Sequence, residues 1–155
     1  MIKKLFFLFA CLFILDQCSW SRPANLGITN GMLAPCPTTL NCISSQGTDE
    51  WHYTAPLRYT GEQSEARKKL ISAIESMDRA VVITDKDNYI HAEYTSRLFR
   101  FMDDVELYFD DANKIIHVRS ASRIGYSDHG VNRTRVDQLR FKFNRLLNSE
   151  ANLKR

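Results

Sequence analysis

Apolar positions change their spacing several times along the chain, and each change marks a segment. Residues 5–15 carry no polar side chain; Lys3 and Lys4 precede them and a polar stretch, residues 16–21, follows. That charged, apolar, polar order is expected of a secretory leader over residues 1–21. Eleven apolar residues fall short of the about 20 that cross a bilayer as a helix. Residues 22–59 hold no sustained period, and they contain all four prolines, Pro23, Pro35, Pro37 and Pro56. They are expected to form an irregular arm.

A helical period begins after Thr60. Residues 60–63 (Thr, Gly, Glu, Gln) fit a capping box, in which the Thr60 hydroxyl and the Gln63 side chain satisfy opposite backbone N–H groups. Ala66, Leu70, Ala73, Ile74 and Met77 then share one face, while Glu65, Lys68, Lys69, Glu75 and Asp78 fall elsewhere. An amphipathic helix over residues 61–78 follows.

Next the period falls to two. Residues 80–84 form a short β-branched run, 85–88 a turn cluster, and 89–95 alternate, with Ile90, Ala92 and Tyr94 opposite Tyr89, His91 and Glu93. Residues 98–102 either extend this strand or bend. Val105, Leu107 and Phe109 alternate with Glu106, Tyr108 and Asp110; residues 111–114 turn and 115–120 return. Two hairpins joined by short turns predict an antiparallel meander of about four strands. Residues 121–131 are expected as loop. Asn132 is the expected cap of a closing helix whose stripe is Val136, Leu139, Phe143, Leu146 and Leu147. The predicted fold is α+β: a two-layer sandwich in the order α-β-β-β-β-α, with core 60–149 behind the arm 22–59.

Composition removes several classes. Among 155 residues, 44% are hydrophobic and 25% charged, with Gly 6 and Pro 4. That excludes disordered, collagen-like and low-complexity chains. The net charge of +3 conceals a division: residues 22–113 hold 9 basic and 14 acidic groups, residues 114–155 hold 10 and 3. Arg133, Arg135, Arg140, Lys142 and Arg145 decorate the last helix but spread around it, so nucleic acid is not the expected partner.

The leader directs the chain to the periplasm or cell envelope. Ser19 and Ser21 suit cleavage after Ser21. Lipidation at Cys11 or Cys18 is the alternative, although Asp16 and Gln17 stand where small uncharged residues are needed before Cys18. The remaining cysteines, Cys36 and Cys42, are expected to form a local disulfide in an oxidising compartment; a redox pair or a zinc half-site competes, the latter needing two further ligands.

The densest polar strip is residues 119–135. Arg119, Arg123, Arg133 and Arg135 supply charge there, with Ser122, Tyr126, Asp128 and Asn132 among them, ahead of a helix N-terminus. Such donors suit a carboxylate or phosphate. The competing expectation is an internal network in which Asp103, Asp104 and Glu106 neutralise those arginines. Ser127, Asp128 and His129 are adjacent, which argues for a loop rather than a triad, because triad members converge from separate elements. A hydrolase using Asp103, Asp104 and His129, with or without a metal, is the enzymatic alternative. His91 and Glu93 share a strand face, and with His117 could form a metal site only in a suitable register; solvent-facing roles are favoured and no cofactor is expected. Asn132, Arg133 and Thr134 match a glycosylation sequon, given little weight at a helix cap.

Two runs carry a resemblance. One joins residues 34–37 (Ala, Pro, Cys, Pro) to 41–46 (Asn, Cys, Ile, Ser, Ser, Gln). The other joins residues 101–106, residues 118–128 and residues 130–135. Together, over residues 31–147, they resemble domain-of-unknown-function family 1499 (DUF1499), which is found in bacterial envelope proteins and some plastid proteins. The family's usual Pro before the Asn-Cys pair is Leu40 here. The resemblance implies a shared fold and an envelope location, and it implies no reaction. The expected function is thus a non-enzymatic exported domain that binds an anionic ligand or envelope partner at the 119–135 strip. A structural module with no ligand is a further alternative.

Overall fold

The computed structural model describes residues 21–153. The expected leader, apart from Ser21, and both lipidation alternatives lie outside the described residues. The elements are β1 (Cys42–Ser44), β2 (Leu57–Arg58), α1 (Gln63–Glu75), β3 (Ala80–Lys86), β4 (Tyr89–Thr95), β5 (Met102–Asp110), β6 (Ile115–Ser122) and α2 (Val131–Leu153).

The α+β class holds, and β3 to β6 form the expected meander. The sheet has six strands rather than four, in the order β1-β6-β5-β4-β3, with β2 also on β6. Both extra strands come from the arm: Ile43 opposes Ser120, and Leu57 opposes Ile116. They have three and two residues, too few to display an alternation.

Alternation decides what each face buries. Ile90 and Ala92 on β4, Val105 and Leu107 on β5, and Ile116 and Val118 on β6 turn to one side and are fully buried. There they meet Leu70, Ala73 and Ile74 of α1 and Val136, Leu139 and Phe143 of α2. Truncating a side chain such as Phe143 in this layer should cost about 3–5 kcal/mol, because the cavity cannot fully collapse.

The other face carries His91, Asp104, Glu106 and Arg119, which are also buried. Part of the arm lies on that side, with the Gly27 N–H donating to Glu106 Oε1 at 2.7 Å. The Cys36–Cys42 disulfide forms, with Cα atoms 5.6 Å apart, and it closes the turn leading into β1.

Several local expectations change. Helix α1 starts at Gln63 with Glu62 as N-cap and no side-chain cap bond, so the Thr60 box does not form. Asn132 is not the cap of α2 either. Gly130 precedes the helix, and the Asp128 side chain caps its first turn by accepting the Asn132 N–H at 2.6 Å, while Asn132 sits in that turn with its amide fully buried. Burial also withholds the sequon amide from modification in the folded chain. The β3–β4 turn is tighter than read, since Asp85 and Lys86 still pair with Ile90 and Tyr89. Residues 96–101 bend rather than extend β4: the Ser96 N–H donates to the Phe101 carbonyl at 2.8 Å, and the Phe101 N–H donates to Ser96 Oγ at 2.8 Å.

Candidate functional site

The polar strip reads as one run but does not stay together in space. Strand β6 sends Arg119 to the arm side and Ser120 and Ser122 to the helix side, and Arg123 follows Arg119. Two separate networks result.

On the arm side, Arg123 is the hub. Its Nη2 donates to Glu93 Oε1 at 2.5 Å and Asp104 Oδ1 at 2.8 Å, and its Nε donates to Asp104 Oδ2 at 2.9 Å. His91 Nε2 lies 2.8 Å from the same Asp104 Oδ1. Arg22, from the start of the arm, reaches Glu93 Oε1 at 2.6 Å. Burial pushes the Asp104 carboxyl up, but hydrogen bonds from Arg123 and His91 outweigh it and hold the group below its ordinary range. Glu93 behaves alike, with burial opposed and outweighed by Arg22 and Arg123. The hydrogen bonds to Asp104 hold the Arg123 guanidinium still more firmly charged.

Beside this hub, Arg119 Nη1 donates to Glu106 Oε2 at 3.0 Å, and the Tyr89 hydroxyl donates to Glu106 Oε1 at 2.8 Å. Burial, then the Glu106 charge, raises the Tyr89 phenol far above its ordinary value, so it stays protonated and can donate to Glu106.

On the helix side, Arg135 Nη2 donates to Asp103 Oδ2 at 2.5 Å and Arg135 Nη1 donates to Asn132 Oδ1 at 2.6 Å. The Arg135 guanidinium also lies 4.9 Å from the Tyr94 ring centre. The Asn132 amide donates to Ser122 Oγ, the Asn41 carbonyl and Asp128 Oδ2. Asn41, beside Cys42, donates through its own amide to the carbonyls of Ser122, Ile124 and Gly125. The disulfide turn thereby clamps the loop that joins β6 to α2.

The acids considered as partners of the strip are thus its partners for three arginines. Arg133 instead donates to the Tyr53 and Trp51 carbonyls, both at 2.9 Å. Tyr126 is exposed. Asp103 and Asp104 are adjacent but face opposite sides of the sheet, so no single centre gathers both with His129. His117 stays apart from His91 and Glu93: its Nδ1 lies 3.2 Å from Ser45 Oγ, and its ring stacks on Tyr108.

Sequence reasoning missed Asp104 as the third member beside His91 and Glu93. Strand pairing would have supplied it, since Glu93 opposes Asp104 across β4 and β5. One ligand atom from each of His91, Glu93 and Asp104 lies within 4.8 Å of the others, a spacing a metal ion would accept. Arg123 already bridges both carboxylates, so the cluster carries its own cation.

Two concavities flank this end of the sheet. One, of about 530 Å³, opens over the arm-side hub between Arg22, Glu93, Arg100 and Arg123. The other, of about 740 Å³, lies between the start of α2, the end of α1 and the root of the β4–β5 hairpin, and includes Arg79, Arg97, His129, Arg135 and Lys142.

No curated protein matches the chain. A family model described as "Protein of unknown function (DUF1499)" matches residues 32–143, which include the disulfide turn, both polar networks apart from Arg22, and most of α2. The match covers well over half of the sequence, and the chain belongs to the DUF1499 family.

Proposed function

We propose that this chain is an exported, non-enzymatic envelope domain that holds an anionic group in the groove beside the start of α2. One observation carries the reading: that groove gathers Arg79, Arg97, Lys142, Arg135 and His129, while Asp78 is its one acidic lining residue. Arg135 is neutralised by Asp103, but Arg97 is exposed and makes no ion pair among the described residues. Lys142 Nζ is anchored at 3.2 Å on the Ser76 carbonyl, a neutral partner, and makes no ion pair among the described residues. Guanidinium and ammonium donors at a helix start favour phosphate or carboxylate. The binding reading of the 119–135 strip narrows to the members that line the groove, His129, Val131, Thr134 and Arg135. Arg119 and Arg123 act in this reading as internal ties.

Calorimetric titration with inorganic phosphate, glycerol phosphate and succinate tests the proposal. Saturable binding of at least one, weakened by Lys142→Ala and Arg79→Ala, is the expected result. No binding of any of the three, or binding indifferent to both substitutions, overturns it.

A further inference from the structure

The tip of the β4–β5 hairpin breaks the usual rule for a surface loop. Leu98 is 79% exposed, Phe99 68% and Phe101 43%, three large apolar side chains within four residues. They are not a floppy bulge. Ser96 and Phe101 close the loop through two hydrogen bonds, and the Phe99 and Phe101 rings stack with centres 5.4 Å apart. Arg97 precedes them and Arg100 stands between Phe99 and Phe101; both are exposed and neither forms an ion pair among the described residues. A rigid apolar knob set between unpaired arginines is poorly suited to water. It suits a surface that is oily beneath and negative above.

Charge is distributed along the strands in the same sense. The hairpin tip contains no acid between residues 96 and 102, so Arg97 and Arg100 set its charge; the neighbouring Arg22 and Arg79 are paired with Glu93 and Asp78. Antiparallel pairing puts the β3–β4 and β5–β6 turns at the opposite end, where Asp85, Asp87, Asp110 and Asp111 outnumber Lys86 and Lys114. A negative surface would attract one end and repel the other, which fixes an orientation.

The start of the described chain adds a third observation. Arg22 is tied to Glu93, and it shares the smaller concavity with Arg100. The apolar run of residues 5–15 ends seven residues before Arg22 in the sequence. The chain therefore enters the fold at the end that bears the apolar tip.

We propose that the β4–β5 tip docks on an anionic lipid bilayer, with Leu98, Phe99 and Phe101 entering the headgroup region and Arg97 and Arg100 meeting lipid phosphates. The surface goes beyond the groove reading; only Arg97 is common to both, and docking needs no occupant in the groove.

The test must read the tip itself, whatever residues 1–20 contribute. In the full-length chain carrying Trp20→Phe and Trp51→Phe, a single reporter is placed by Phe99→Trp, or for comparison by Ala112→Trp in the β5–β6 turn. Vesicles contain brominated phosphatidylcholine with phosphatidylglycerol, and bromine quenches only tryptophans that reach the lipid. Quenching at position 99 and none at 112 is expected, falling about threefold or more when Arg97→Gln and Arg100→Gln are added. Absence of quenching at 99, equal quenching at 112, or no change when phosphatidylglycerol is omitted overturns the proposal.

Discussion

Asp103 and Asp104 are neighbours on β5, yet they are neutralised on opposite sides of the sheet, Asp103 by Arg135 and Asp104 by Arg123. Both pairs are almost entirely out of water. Each carboxylate needs its guanidinium, because a lone buried charge is far more costly than a buried pair. The basic C-terminal third thus closes onto the acidic middle of the chain across both faces of the sheet.

From that geometry, Arg123→Ala and Arg135→Ala should each destabilise the domain by about 3–5 kcal/mol. The two networks share no side chain, so their effects should add to within about 0.5 kcal/mol. By contrast, Asp103→Ala with Arg135→Ala should lose less than the sum of the two, since the second change removes a charge the first has orphaned. Urea midpoints of the five variants check this. Strong coupling between Arg123 and Arg135 would show that the sheet does not insulate the two networks.

Acid should weaken the arm-side network in a defined window. The folded carboxyls of Glu93 and Asp104 sit below their ordinary values of 4.5 and 3.8. The unfolded chain therefore binds protons first as pH falls. Their contribution is complete above the unfolded values and is lost as pH drops through the lower folded ones. His117 adds an earlier, shallower loss: burial lowers its value from 6.5, opposed by the charge of Asp110, so charging it below pH 6.5 favours the unfolded chain. His52, raised by its hydrogen bond to Asp49, adds stability as it charges in the same upper window, so comparison of His117→Asn with wild type isolates the upper phase, while stability from pH 5 to 3 shows the lower one. The gap between wild type and Glu93→Gln should narrow over the lower one; a constant gap would deny Glu93 its ion-pair role.

How much of this was readable in advance follows from period and length. Helices α1 and α2 and strands β3 to β6 each present several turns or alternations, so Leu70, Ile90, Leu107 and Phe143 could be assigned to the core from spacing alone. Strands β1 and β2 could not, because two or three residues have no period and are strands only by virtue of β6. The arginines of the strip were visible as a charge cluster. Their division between faces followed from the alternation of β6, which runs to Ser122, further than its apolar pattern suggests. Asp104 joined His91 and Glu93 through cross-strand register, which a single sequence does not print. Residues 98–102 read equally as strand or bend, because apolar side chains stand on both sides of Arg100, and only the pairing of Met102 with Thr95 shows where β5 begins.

The disulfide should matter beyond its loop entropy. Closing so short a loop contributes about 2 kcal/mol. Cys42 also follows Asn41, whose amide holds the carbonyls of Ser122, Ile124 and Gly125 and whose carbonyl receives Asn132. Replacing both cysteines by serine should lower the urea midpoint and raise hydrogen exchange in the loop at residues 123–130. Asn41→Ala should reproduce the exchange change with the disulfide intact. Exchange unaffected by either substitution would mean that the loop is held by other contacts.

Arg22 and Arg123 reach the same oxygen of Glu93, at 2.6 and 2.5 Å, from opposite circumstances. Arg22 has 54% of its side chain exposed, Arg123 only 2%. Water and salt screen the first pair, and holding a long exposed side chain offsets much of what remains. Arg22→Ala should therefore change stability by less than about 1 kcal/mol, and that change should vanish at high salt. Arg123→Ala should keep most of its several-kcal/mol effect under the same conditions, because its partners lie beneath the surface. Denaturation at low and high sodium chloride separates the two. An Arg22→Ala loss as large and as salt-resistant as that of Arg123→Ala would mean that Arg22 is what holds the arm over the sheet.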